Sequence, residues 1–162
     1  MTEILEKTER AYEGGQNRPL RGYLGILAAY GGTVAVAAAV AGLANRRVPD
    51  RIGVLDLALM AACTHKVSRR IAKDPVTSPL RAPFTRYEGQ GGPAEVEESP
   101  RSALGELLAC PFCLAQWVAT GYAAGLVIAP KATRLIGATM TAVAVSDWLQ
   151  LAYARLMKAA EE

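Results

Sequence analysis

Two cysteines three residues apart, Cys110 and Cys113 in Cys-Pro-Phe-Cys, form the most compact chemical motif in the chain. On a helix, residues at i and i+3 share one face, which brings the two thiols together. Pro111 removes a backbone donor and restricts Cys110 before it. The motif is therefore either a kink or a fresh helix start with Cys110 as N-cap. A helix start leaves free N–H groups near the sulfurs and favours the thiolate. Such a pair suits a dithiol redox couple or half of a tetrahedral metal site. Cys63 lies two residues before His65, the only histidine. Together Cys110, Cys113, Cys63 and His65 have the composition of a structural zinc set, and two Cys-x-x-Cys pairs from two copies are a second route. No cofactor is the leading expectation and zinc the possible one. The plainer alternative is that cysteine serves here as a small apolar packing residue that shapes a helix.

The acids offer less. Asp56, Glu106 and Asp147 fall in or beside apolar segments, where charge is costly and often functional. Arg69 and Arg70 are the candidate partners of Asp147, and a proton-carrying role is the alternative. There is no phosphate loop, no Ser-His-Asp set, no His-Glu-x-x-His and no dinucleotide fingerprint. With a single histidine, many hydrolase and metalloenzyme mechanisms are short of bases and ligands.

The elements that must position these groups are apolar helices. Residues 22–44 and 107–129 each run 23 residues without Asp, Glu, Lys or Arg. At about 1.5 Å per residue each makes a helix of roughly 34 Å, enough for a hydrocarbon core of about 30 Å. The first is too long for the apolar core of a signal peptide and is expected to remain as a span. A further span is expected over 133–157, joined to the one over 104–129 by a short connector as an antiparallel hairpin. A short one is expected over 52–72, where Lys66, Arg69 and Arg70 can snorkel to an interface. An interfacial helix is the alternative for that segment. Small residues at Ala28, Gly31, Gly32, Ala35 and Ala39, and at Gly121 and Gly125, suit close helix approach within the chain or between copies.

With four spans, 13 Lys and Arg fall on one side and 5 on the other. The positive-inside rule then puts both termini and the loop over 74–102 in the cytoplasm. The net charge of +3 comes from residues flanking the spans and carries no nucleic-acid-binding pattern. The loop begins with Asp74, Pro75, Pro79, Leu80 and Arg81, a segment that reads as a Pro-rich linker or as one lying in the interface. Residues 88–98 read as a mobile, solvated loop. Ser102 is the expected N-cap of the next helix.

Three stretches taken together carry a resemblance. They are residues 73–81 (KDPVTSPLR), residues 106–114 (ELLACPFCL) with Trp117, and residues 145–150 (VSDWLQ). The chain resembles the bacterial membrane family called domain of unknown function 1360 over roughly residues 52–157. The resemblance implies a small integral membrane protein with no established activity, some members being described as sporulation-associated. It supports a crossing second segment and gives the Asp74–Arg81 motif more than a linker's role, but it supplies no mechanism.

The expected fold is thus an all-α integral membrane bundle of about four helices, with a polar segment over 1–21, a membrane domain over 22–157 and a polar tail over 158–162. It belongs, as a multi-pass protein, in a bacterial cytoplasmic membrane. Its expected partners are the bilayer and either further copies or other membrane subunits, not nucleic acid. The expected role is a non-catalytic structural or assembly subunit. A thiol or zinc site at the cytoplasmic face is the alternative, and a minimal transporter ranks last.

Overall fold

A computed structural model describes residues 6–8, 11–12 and 18–161, so most of the segment expected to be polar, 1–21, lies outside the described residues. Helix α1 (Leu20–Leu43) follows Pro19 and carries no charge after Arg21. It stops where Asn45 enters the left-handed region at φ 50°, a conformation that Asn tolerates better than most residues. Helix α2 (Val54–Lys73) ends because Asp74, extended at φ −70° and ψ 132°, precedes Pro75. A 3-10 turn (Pro75–Thr77) and a single helical turn, α3 (Ser78–Arg81), follow. Helix α4 (Ala103–Ala109) is capped by Ser102, whose hydroxyl accepts the Gly105 N–H at 3.1 Å. Helices α5 (Pro111–Ile128) and α6 (Pro130–Glu161) complete the chain.

The long helices alternate in direction. Tyr23 of α1 meets Glu106, and Tyr30 meets Thr120, so α1 runs parallel to α5. Asp56 and Lys66 of α2 meet Arg134 and Asp147 of α6, so those two are parallel. Cys63 of α2 packs against Tyr122 and Leu126 near the far end of α5, with Leu59, Met60, Val67 and Met140 around them. Small residues permit this packing. A Cβ on Gly125 would stand 2.6 Å from the Thr133 hydroxyl, and one on Gly137 would strike the Tyr122 ring. Among the described residues, α1, α5 and α6 are long and apolar enough to cross a membrane. Helix α2 has 20 residues, about 30 Å, but Asp56, Lys66, Arg69, Arg70 and Lys73 interrupt it.

The fold is mostly helical rather than wholly so. The segment expected to be a mobile loop forms an antiparallel hairpin, β1 (Thr85–Gly92) with β2 (Glu95–Pro100), Thr85 opposite Pro100 and Gly92 opposite Glu95. Irregular register steps between Tyr87 and Gly89, and between Gln90 and Gly92, twist it. Gly89 sits at φ 145° and Ala94 in the turn at φ 57°. An isolated two-stranded hairpin is marginal in water. What holds this one is its attachment to α2, α3 and α4.

Candidate functional site

The attachment is built on one residue of the loop motif. Arg81 is completely buried, and its planar fork finds acceptors for its donors on every side. Nε and Nη2 donate to the two carboxylate oxygens of Glu98, each at 2.9 Å. Nη1 donates to the Ile71 carbonyl and to the Thr77 hydroxyl, the latter at 2.7 Å. Nη2 also reaches the Asp74 carbonyl and the Ser78 hydroxyl, each at 3.1 Å. Glu98 in turn accepts from Ser78 at 3.2 Å and from Thr85 at 2.8 Å. Arg81 thus joins the C-terminus of α2, the turn after it and the second strand. A buried guanidinium is tolerable only with this degree of satisfaction. Burial pushes the Glu98 carboxyl up, but the bonds from Arg81, Thr85 and Ser78 and the Arg81 charge outweigh it, so its pKa lies below the ordinary value.

The rest of the motif prepares Arg81. The Asp74 carboxylate accepts the Val76 N–H at 2.9 Å and caps the 3-10 turn. Pro75 and Pro79 sit in the first turns of the two short helices, where their missing donors cost nothing. Leu80 is exposed. The segment is therefore an ordered corner rather than a linker.

Ion pairs extend the attachment. Arg69 donates to Glu95 through Nε at 3.0 Å and Nη2 at 2.5 Å, Lys73 pairs with Glu97 at 2.9 Å, and Arg70 pairs with Asp74 at 3.3 Å. Each is partly exposed and worth about 0–1 kcal/mol. Asp147 pairs with Lys66, not with the expected Arg69 or Arg70, which are engaged by Glu95 and Asp74. Asp56 is held by both Nε and Nη2 of Arg134 at 2.7 and 2.8 Å, a partner not anticipated from the sequence.

The cysteine pair resolves as a fresh helix start. Cys110 is extended at φ −104° and ψ 106°, Pro111 opens α5, and the Cys110 sulfur accepts the Cys113 N–H at 3.2 Å. Beneath it, the Tyr23 hydroxyl donates to Glu106 at 2.5 Å and ties α1 to α4. Farther along, Tyr30 meets Thr120 at 2.7 Å, takes an N–H from Gln116 at 3.2 Å and packs edge-on against Trp117 at 5.2 Å.

The four-ligand set is not assembled. Cys63 is buried against Tyr122 and Leu126, several turns of α5 away from Cys110 and Cys113, while His65 faces Trp148 with ring centroids 6.0 Å apart. Two residues on a helix are about 200° apart, so Cys63 and His65 point to different neighbours. Among the described residues, no group of three or more His, Cys, Asp or Glu is placed to hold a metal ion. Cys110, Cys113, Cys63 and His65 therefore do not form one tetrahedral set within the described residues of a single chain. Cys110 and Cys113 are free thiols at the start of α5, with Cys113 exposed.

Sequence reasoning missed Glu95, Glu97 and Glu98, the acids that meet Arg69, Lys73 and Arg81. The available signal was the opposite sign of the two charge groups flanking the prolines.

A family model described as "Protein of unknown function (DUF1360)" matches residues 59–153, from within α2 to within α6. No curated protein and no solved structure matches the chain.

Proposed function

The chain belongs to the DUF1360 family of proteins of unknown function, and we propose that it is a non-catalytic assembly subunit of a bacterial cytoplasmic-membrane complex. In this reading α1, α2, α5 and α6 are four spans, with both termini and the hairpin on the cytoplasmic side. The observation that carries it is α1. This helix is apolar and has no buried residue. It is fastened along one side by Tyr23 and Tyr30. Among the described residues, a Cβ on Gly25, Gly31 or Gly32 would meet nothing within 4 Å. Lipid tails need no glycine, whereas a neighbouring helix does, because close backbone approach is what drives association in a bilayer. The hairpin adds a fixed polar surface at the same end as the Tyr23–Glu106 contact. The experiment is the protein mass of the particle extracted with its surrounding lipid, which should exceed that of one chain after the lipid is subtracted.

The topology has its own test. A reporter fused after Glu162, active only in the cytoplasm, should be active, and one inserted at Val48 should be silent. Two reporters of the same state would contradict four crossings.

A second reading rests on the thiols. Cys113 is exposed and its N–H bonds the Cys110 sulfur, which keeps the two residues neighbours; in this reading they form a disulfide under oxidation and return to the dithiol with reductant. Under mild oxidation of the full-length protein, two of three thiols should become resistant to maleimide and return with reductant. A constant three reactive thiols on unfolding would eliminate it.

A further inference from the structure

Opposite the hairpin, the connector between α1 and α2 meets the start of α6 around a cleft of about 430 Å³. Four arginines line it, Arg46, Arg47, Arg51 and Arg134, against one acid, Asp56. That acid is already taken, since Arg134 holds both of its oxygens. Arg46, Arg47 and Arg51 are exposed and have no carboxylate partner among the described residues. Most basic residues at the hairpin end are paired instead. There Lys66, Arg69, Arg70, Lys73 and Arg81 each face a carboxylate, and Arg86 and Arg101, unpaired among the described residues, are not gathered around a cleft.

Three like charges gathered on one concave surface repel unless an anion sits among them. A guanidinium fork matches phosphate oxygens in pairs. The cleft also has an apolar wall, Leu126 and Val127, and lies where the apolar stretches of α1 and α5 stop, at Leu43 and Ile128. For helices of this length that depth is the headgroup level of a bilayer. We propose that this cleft binds a phosphate-bearing anion between Arg46, Arg47 and Arg51, with the Arg134–Asp56 pair as its fixed wall. The apolar wall favours a phosphate that carries acyl chains.

The test uses the full-length protein, delipidated in detergent and titrated with phosphatidylglycerol, phosphatidylcholine or inorganic phosphate. Binding is followed by native mass spectrometry and by the shift in Tm. Phosphatidylglycerol should be retained and phosphatidylcholine should not. The triple variant Arg46→Gln, Arg47→Gln, Arg51→Gln should bind phosphatidylglycerol roughly 100-fold more weakly. A matched triple at exposed sites elsewhere, Arg86→Gln, Arg101→Gln, Arg155→Gln, should bind as the unaltered protein does. If inorganic phosphate competes and raises Tm with the same arginine dependence, the site stands and its occupant is a soluble phosphate. If it does not compete, the occupant is the lipid. Equal retention of the two lipids, equal loss in the two triples, or no binding of either anion would overturn the proposal.

Discussion

Replacing Arg81 with Met should release the hairpin from the bundle and cost about 3–5 kcal/mol, the usual consequence of leaving one member of a buried ion pair without its partner. Glu98 would keep its bonds from Ser78 and Thr85 but lose the countercharge, and it is nearly as buried as Arg81 itself. Hydrogen–deuterium exchange of the strand amides in lipid nanodiscs reads the loss directly. The double variant Arg81→Met, Glu98→Leu should recover most of the protection, because two apolar side chains leave no stranded charge. A double variant as open as the single one would mean that the carbonyls of Ile71 and Asp74, not the charge pair, govern the corner. The pH dependence follows from the same carboxyl. The folded-state pKa of Glu98 lies below its unfolded value of about 4.3. Its contribution is therefore complete above that value and lost as pH falls through the lowered one. Strand protection should fade in acid, and Glu98→Gln should flatten that dependence.

Gly105→Ala should be nearly as damaging. A Cβ there would be driven into the Phe84 carbonyl oxygen and stand 3.4 Å from the Pro100 Cα. These are backbone atoms, and the Phe84 carbonyl is already fixed by the Arg101 N–H at 2.9 Å. The helix and the base of the hairpin would have to separate, at a cost of about 3 kcal/mol, toward the upper end for overpacking. Gly121→Ala is the control. Among the described residues nothing lies within 4 Å of a Cβ there, so relief of backbone entropy should stabilise by about 0.4–1 kcal/mol. Thermal unfolding of both variants in detergent distinguishes them, and equal Tm values would contradict the packing.

The helices were legible because apolar run length is a local property. Ser102 as N-cap was legible for the same reason, since capping is decided within a few residues; at Pro111 the residues allowed a kink or a fresh helix start, and the fold chose the start. The hairpin was not. Tyr87 and Val96 are nearly the only large apolar residues in its strands, so no alternation announces them. Their stability comes from Arg81, Arg69 and Lys73, residues that precede the hairpin in sequence and meet it only in space. The four candidate ligands were not brought together in one chain, for a related reason. Placing Cys63 near Cys110 and Cys113 required only that both lie toward one end of the bundle. The actual position of Cys63 depends on the helix face it presents, and that face is turned to Tyr122 and Leu126. The misassigned partner of Asp147 belongs to the same class, since Lys66, Arg69 and Arg70 are close in sequence and only the packing of α2 on α6 chooses among them.

The most direct measurement of whether this protein works as an assembly subunit is the mass of the particle excised from its native membrane with lipid intact. A reproducible particle containing two or more copies of the 17.1 kDa chain, or one copy with a stoichiometric second membrane protein, is expected. Substituting Gly31 and Gly32 with Leu should shrink that particle while leaving the hairpin protected. A solitary 17.1 kDa chain under every extraction condition, unaffected by those substitutions, would contradict the assembly role.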